Sequence, residues 1–445
     1  MNRKLIAAFA ALLAAAAFVL PQVVSGQASA PVVAASAASE PRPAPTVPTV
    51  QTVPGMPEVR DASNLYSETV PGRFSPAVAG ALERVYVPNR AENSVSVIDP
   101  ATLKVIDKFK VGHNPQHIVP SWDLKTLWVA NNAEGRTDGS LTPIDPQTGK
   151  AGKSIAVDDP YNVYFTPDGT LAIIVAEAYK RLDFRDPQTM QLRYSIATPD
   201  CAGINHADFS IDGRMVVFTC EFNGAVTKID LIRRRVLATL IVSKYFDRPE
   251  FAAAAASGLA GTRNAPRPGS NARPLSIAEL CLTRGMPQDV RASPDGKLYY
   301  VADMMADGVH VVDLESFKQV GFIATGVGAH GLYPSRDGKQ LYVANRGTNL
   351  IRGKPGGKGS VSVIDFASRA VVKTWTVPGG GSPDMGNVSA DGKHLWLSAR
   401  FDDEVYRFDT QSGEIDRIKV GREPHGLAVW PQPGRYSLGH TGNMR

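Results

Sequence analysis

Six copies of one short pattern, a turn of the Ser-Pro-Asp-Gly kind leading into a strand that ends near Val-Ala-Asn, recur about every 43 residues. They read SWDLKTLWVAN (121–131), TPDGTLAIIVAE (166–177), SIDGRMVVFTCE (210–221), SPDGKLYYVAD (293–303), SRDGKQLYVAN (335–345) and SADGKHLWLSAR (389–400). A fixed period of this length with several short strands per unit is the signature of a β-propeller blade. The turn aspartates stand at 123, 168, 212, 295, 337 and 391, and the wide gap between 212 and 295 hides one unit plus an insertion at about 243–284.

Each unit reads as four antiparallel strands, with period-two alternation broken by Asp-Gly turns. Over 285–325 these are PQDVRAS, KLYYVAD, GVHVVDL and KQVGFIAT. Copies of the third strand recur as SVSVIDP (94–100), SLTPIDP (140–146), AVTKIDL (225–231), SVSVIDF (360–366) and EVYRFDT (404–410), with a weaker copy at 182–187. Counting sets of second, third and fourth strands gives seven. The first set, 84–111, lacks an inner strand, and PHGLAVWP (424–431) supplies one. The expectation is an all-β, seven-bladed propeller of four-stranded antiparallel blades over 75–445. Its ring is closed by a C-terminal strand joining the N-terminal blade, which removes open sheet edges. The tail 435–445 has no assigned place.

The YVAN and SVSVID repeats at 342–345 with 361–365, the related 86–89 with 95–99, and PHGL at 424–427 resemble the YVTN-repeat β-propellers, which include the periplasmic YncE-like proteins. The resemblance spans about 370 residues and implies the fold; propellers host enzymes, cofactor holders and pure binding modules alike.

Arg3 and Lys4 precede an apolar run from Leu5 to Leu20, and Val24-Ser25-Gly26 offers a small-residue cleavage site, so 1–26 reads as a secretory signal peptide and the chain as periplasmic or secreted. No stable membrane span is expected after cleavage. Residues 27–74, rich in Ala, Pro, Val, Ser and Thr, read as a disordered linker. The formal charge of +5 is small and scattered, which argues against nucleic acid. A monomer is expected. Of three cysteines, Cys201 and Cys220 are the first candidates for a disulfide, both falling near one face of the ring, with Cys281 left over. The absence of CxxCH excludes covalent c-type haem.

The long loops, at 131–139, 243–284 and 345–359, all fall on one face, and long loops on one face are commonly functional. FAAAAASGLAG (251–261) reads as a short helix there. Aligning the inner strands places two columns at the channel mouth. The first holds Gln116, Tyr161, Asn205, Gln288, His330, Asp384 and His425; the second holds His117, Asn162, His206, Asp289, Gly331, Met385 and Gly426. Alternation along a strand implies that one of each pair faces the axis. From these, the candidate ligand-binding residues are His117, Asn162, His206, Asp289, His330, Asp384 and His425. A third column at the end of strand two holds Asn89, Asn131, Glu177, Glu221, Asp303, Asn345 and Arg400. Glu177, His206, Glu221, Asp289 and Asp303 form the densest cluster, a candidate set for a divalent metal.

Three functions follow. The first is a binding or scaffold module that takes a protein or small ligand on the long-loop face; no GxSxG, HExxH or aligned triad is visible, so the reading leans away from an enzyme. The second, to which the resemblance also points, is a metal-dependent, lactonase-like hydrolase using the five-residue cluster. The third, implied by the resemblance, is a redox accessory protein holding a d1-type haem or quinone, with His117, His330 or His425 as axial ligand. The turn aspartates and those ending the VID strands read as turn caps, and His113, His310, His394 and His440 as structural.

Overall fold

The alternating strands and Asp-Gly turns fold as their period predicts. The computed structural model describes residues 49–256, 285–351 and 357–445. Seven four-stranded antiparallel sheets form a ring of blades. Blade 1 pairs Arg84–Asn89, Ser94–Asp99 and Lys104–Lys110 with the C-terminal inner strand Ala428–Trp430, closing the ring as expected. The inner strands of blades 2 to 7 are Pro115–Pro120, Pro160–Phe165, Ile204–Phe209, Pro287–Ala292, Ala329–Pro334 and Pro383–Val388.

Turn chemistry fixes each blade. In every copy the turn aspartate accepts from a hydroxyl two residues back and from the backbone N–H two residues on, as Asp295 does from Ser293 Oγ (2.6 Å) and Lys297 N. The strand-three aspartates cap the next turn, as Asp365 does for Ser368. Apolar side chains fill the space between neighbouring blades; Tyr164, Ile173 and Phe184 of blade 3 share one cluster with Phe209, Val216 and Phe218 of blade 4. Inner strands are buried along their length, whereas outer strands such as Lys104–Lys110 lie largely exposed.

Two segments depart from expectation. Residues 49–74 fall within the expected linker, yet they run along the face that carries the Asp-Gly turns. Leu65 and Tyr66 are buried there, Tyr66 Oη donates to Ala292 O (2.7 Å), and Val53 N donates to Asp212 O. Two anchoring apolar residues outweigh the Pro/Thr-rich composition around them. The tail 435–445 also docks. It folds back on itself through a Ser437–Met444 bridge, lays Leu438 and Gly439 against Phe165 and Tyr164, and stacks Tyr436 on Trp122 at 5.5 Å. Its tip carries His440 into the channel from the Asp-Gly face. Arg445 ends in an ion pair with Asp208 at 2.6 Å.

The helix expected near 251–261 occurs as Pro249–Ala256, after the outer strand of blade 4. The expected signal peptide, residues 27–48, most of the insertion and Cys281 lie outside the described residues. Among the described residues no helix is long and apolar enough to cross a membrane.

Candidate functional site

Each inner strand of blades 2 to 7 is irregular at one equivalent point. Register shifts fall between Pro115 and His117, Pro160 and Asn162, Ile204 and Ala207, Pro287 and Val290, Ala329 and Leu332, and Pro383 and Gly386. A bulge re-aims side chains that simple alternation would send to opposite faces. Both expected columns therefore contribute to the channel, which corrects the one-of-each-pair reading.

A histidine cluster fills the channel. The His117 ring lies 4.9 Å from His425, 5.1 Å from His206, 5.3 Å from His440 and 5.4 Å from Tyr161, and His206 and His440 are 4.4 Å apart. Gly426 makes room for it, since a Cβ there would stand 2.0 Å from His117 Nδ1. Asp384 bridges His425 to one further ring, 3.0 Å from His425 Nδ1 and 2.9 Å from His330 Nδ1. Asn162 faces Nδ1 of both His206 (3.2 Å) and His440 (2.9 Å). Asp289 receives Arg291 at 2.8 Å and Leu332 N at 2.9 Å, and lies 3.6 Å from His440 Nε2.

Burial sets the protonation of this cluster. It pushes His117 and His206 well below the usual imidazole range, with neighbouring imidazoles adding to the effect, and takes His425 down to about 3 against the opposing Asp384 charge. Burial pushes Asp384 up, but His330, Arg346 and His425 outweigh it and hold the carboxyl well below its ordinary range.

The end of strand two needs a second correction. Pairing of Asn89 with Ser94, Asn131 with Ser140, Asp303 with Gly308 and Asn345 with Ser360 puts these four residues in one register, equivalent to Ala176, Cys220 and Ala399. The asparagines bind their own blades, Asn345 donating to Ser360 Oγ and Ser362 Oγ. Asp303 accepts from Met286 N, Met305 N and Ala306 N and lies 3.1 Å from His310 Nε2. Oδ1 takes all three backbone bonds and Oδ2 faces His310, away from the group that His206 and Asp289 join, so among the described residues the five-residue metal set does not converge. Of that set, His206 and Asp289 come together, while Glu177 and Glu221 stand at the mouth.

The next register position forms the rim: Arg90, Asn132, Glu177, Glu221, Met304, Arg346 and Arg400. The arginines occupy blades 6, 7 and 1, and the glutamates the neighbouring pair 3 and 4. Burial and then Glu221 push Glu177 well above the usual carboxylate range; burial also lifts Glu221, opposed by Gln288, Arg346 and Arg400. Arg90 is held by Glu134 and Glu423. Arg346 and Arg400 are buried at 2% and 7% exposure. Arg346 donates to Met304 Sδ (3.2 Å), lies 3.6 Å from Asp384, and packs over Phe401 at 4.8 Å. Arg400 lies over the same ring at 5.7 Å. Nε of both, and Nη2 of Arg346, have no hydrogen-bond partner among the described residues. Sequence reasoning missed Arg90 and Arg346. Their signal is an arginine directly after the strand-two asparagine in VPNR and VANR. Cys201 and Cys220 are joined by a disulfide beside this face, their Cα atoms 4.8 Å apart.

A closed ring of seven blades, with a polar rim on one face and a histidine-lined channel stoppered from the other by the chain's own tail, defines a β-propeller with a channel-mouth site. The chain matches the YNCE-like β-propeller family over residues 66–198 and 276–433, well over half its length, and belongs to that family. No curated protein matches it significantly. Among solved structures it is similar to hydrazine synthase of Kuenenia stuttgartiensis (18% identity, 70% of this chain and 88% of that one, TM-score 0.50). It is also similar to the dihydro-heme d1 dehydrogenase NirN in complex with DHE (14%, 81% and 77%, 0.53). A third is a Bacteroides uniformis protein described as a candidate 6-phosphogluconolactonase (15%, 78% and 99%, 0.56). At these identities the likeness is one of fold.

Proposed function

We propose that the protein is a binding module of the periplasmic or secreted space whose channel mouth takes a small anionic ligand, with Arg346 and Arg400 receiving its carboxylate or phosphate group. The observation that carries this is the pair of buried guanidinium groups in which Nη2 of Arg346 and Nε of Arg400 have no hydrogen-bond partner among the described residues, Nε of Arg346 facing Asp384 only at 3.6 Å. A buried donor without an acceptor costs about 1–3 kcal/mol, more when charged, so two such groups on adjacent blades fit an acceptor supplied by a ligand. Planar guanidinium forks suit carboxylate and phosphate. Glu177 and Glu221 give the site polarity: a ligand with its anionic end on blades 6 and 7 would set a hydroxyl or amine against these carboxyls. The signal-like N-terminus and the Cys201–Cys220 disulfide support an oxidising compartment.

The hydrolase reading loses its ligand set with Asp303, and the redox reading fares no better. A macrocycle needs an axial histidine with open space beyond its nitrogen. Four aromatic and imidazole rings enclose His117, and His330 and His425 share Asp384. These residues do not fit a haem.

Calorimetric titration of the untagged mature protein with succinate, inorganic phosphate and glutamate tests the proposal. Saturable binding of at least one probe, weakened about tenfold or more in Arg400→Gln by loss of one charge-assisted pair, is the expected result. Absence of binding by all three at millimolar concentration, or equal affinity in the variant, would overturn it.

A further inference from the structure

Below the rim, the tail creates a constellation that the repeat alone does not contain. His206 comes from the inner strand of blade 4, Asp289 from that of blade 5, and His440 from the tip of the tail. One ligand atom from each of the three lies within 4.8 Å of the other two, and all three residues are fully buried. We infer that these residues form a metal site for a first-row divalent cation, with Zn2+ as the best match, and that the docked tail completes it. The inference is independent of the anion site, sharing no residue with it.

Four observations carry it. First, two imidazoles and one carboxylate are the donor set of three-ligand zinc sites, which leave a further position open. Second, donor atoms around a tetrahedral ion with bonds of about 2.1 Å stand roughly 3.4 Å apart, so closing on the ion takes side-chain shifts below about 1 Å. Third, Nε2 of His206 has no hydrogen-bond partner among the described residues, which is unusual for a fully buried polar atom, and Nε2 of His440 faces Asp289 at 3.6 Å. Fourth, His117 stands beside both rings, fully buried, with neither ring nitrogen partnered among the described residues, so a further imidazole without a partner borders the group of three.

Asn162 supplies the outer support. It faces Nδ1 of both rings. In the structure its Nδ2 faces both rings; with the amide turned so that the oxygen faces them, each imidazole would carry its proton on Nδ1 and present the Nε2 lone pair inward, as metal-bound histidines usually do. Turning the amide gives up the bond from Val163 N (2.8 Å). Arg291 competes for the Asp289 charge through Oδ1, Leu332 N donates to Oδ2, the oxygen that faces His440, and Arg445 nearby is matched by Asp208. These cations and the Leu332 bond lower the affinity.

The test uses untagged mature protein, stripped with chelator and dialysed. Titration with Co2+ should develop ligand-field bands in the visible that saturate at one ion per chain and are displaced by Zn2+. Zn2+ should also raise the melting temperature. His206→Gln and His440→Gln should each weaken Zn2+ binding by more than about 100-fold, beyond the loss typical of an outer-shell residue, while His394→Gln on blade 7 leaves it unchanged. X-ray absorption of the Zn2+-loaded wild type, which depends on no variant folding, should show at least two imidazole ligands. No saturable binding at micromolar Zn2+, unchanged affinity in both channel variants, or a zinc spectrum without imidazole would each overturn the inference.

Discussion

The docked tail is the feature most open to a quantitative test. Leu438 is buried in the cluster formed by blades 3 and 4, its carbonyl accepts from Phe165 N (3.1 Å), and its N–H donates to Asn443 O (2.8 Å). Leu438→Ala removes a buried side chain between walls built from two blades, which cannot collapse onto the gap. Leucine-to-alanine changes at such sites cost about 2–5 kcal/mol, and a value near 3 is expected here. Unfolding entropy of about 2.1 cal/mol/K per residue over roughly 390 residues gives about 0.8 kcal/mol/K, so the melting temperature should fall by roughly 4 °C. Leu192→Ala, at a half-exposed position on the outer strand of blade 3, serves as the reference and should change stability by less than about 0.5 kcal/mol. Urea denaturation and calorimetry give the two numbers, and amide exchange reports on residues 436–445 directly. If Leu438→Ala matches Leu192→Ala while the tail amides exchange freely, the tail is an appendage outside the cooperative unit. The channel stopper, and with it the metal site, would then fail.

Stability should fall on acidification below about pH 6.5. An unfolded histidine takes up a proton near pH 6.5, whereas His117, His206, His330, His425 and His440 resist it in the folded chain, His425 until about 3. The unfolded state therefore binds more protons between these limits and gains about 1.4 kcal/mol per pH unit for each such group. Glu177, raised in the folded state, acts in the opposite sense: its contribution is present below its unfolded value and lost as pH rises. Melting temperatures that stay flat from pH 7 to 5, or a His425→Gln variant with an unaltered slope, would contradict this account. Gly426→Ala should destabilise by about 1–3 kcal/mol through overpacking against His117. His117→Ser in the same chain should recover most of that loss, and a cost under about 0.5 kcal/mol by urea denaturation would show that the ring moves aside freely.

The ring was legible because its causes are local and repeated. Asp-Gly turns, alternating strands and the PHGL closure each act within a few residues, and seven copies average out the noise of any one. The site was less so, because it depends on register. Reading the strand-two ends one position early in four blades merged Asn89, Asn131, Asp303 and Asn345, which tie their own blades together, with Glu177, Glu221 and Arg400, which face the axis. In a strand a slip of one residue exchanges the two faces, so Asp303 entered the metal set while Arg90 and Arg346 dropped out. The inner strands erred the other way. Strict alternation allowed one column to face the channel, but a bulge in each of six strands admits both.

His440 lay beyond either correction, since the tail belongs to no repeat and its partners Asn162 and Asp289 are more than 150 residues away in sequence. A repeating scaffold presents equivalent positions around its axis, and asymmetry must come from what departs from the repeat. In this chain the departures are the arginines confined to three adjacent blades, the glutamates confined to two, and a single histidine delivered from the C-terminal segment. The symmetric part builds the ring. The three departures place unlike charges across the mouth and a third ligand beneath it, and chemistry specific to this protein is to be sought there.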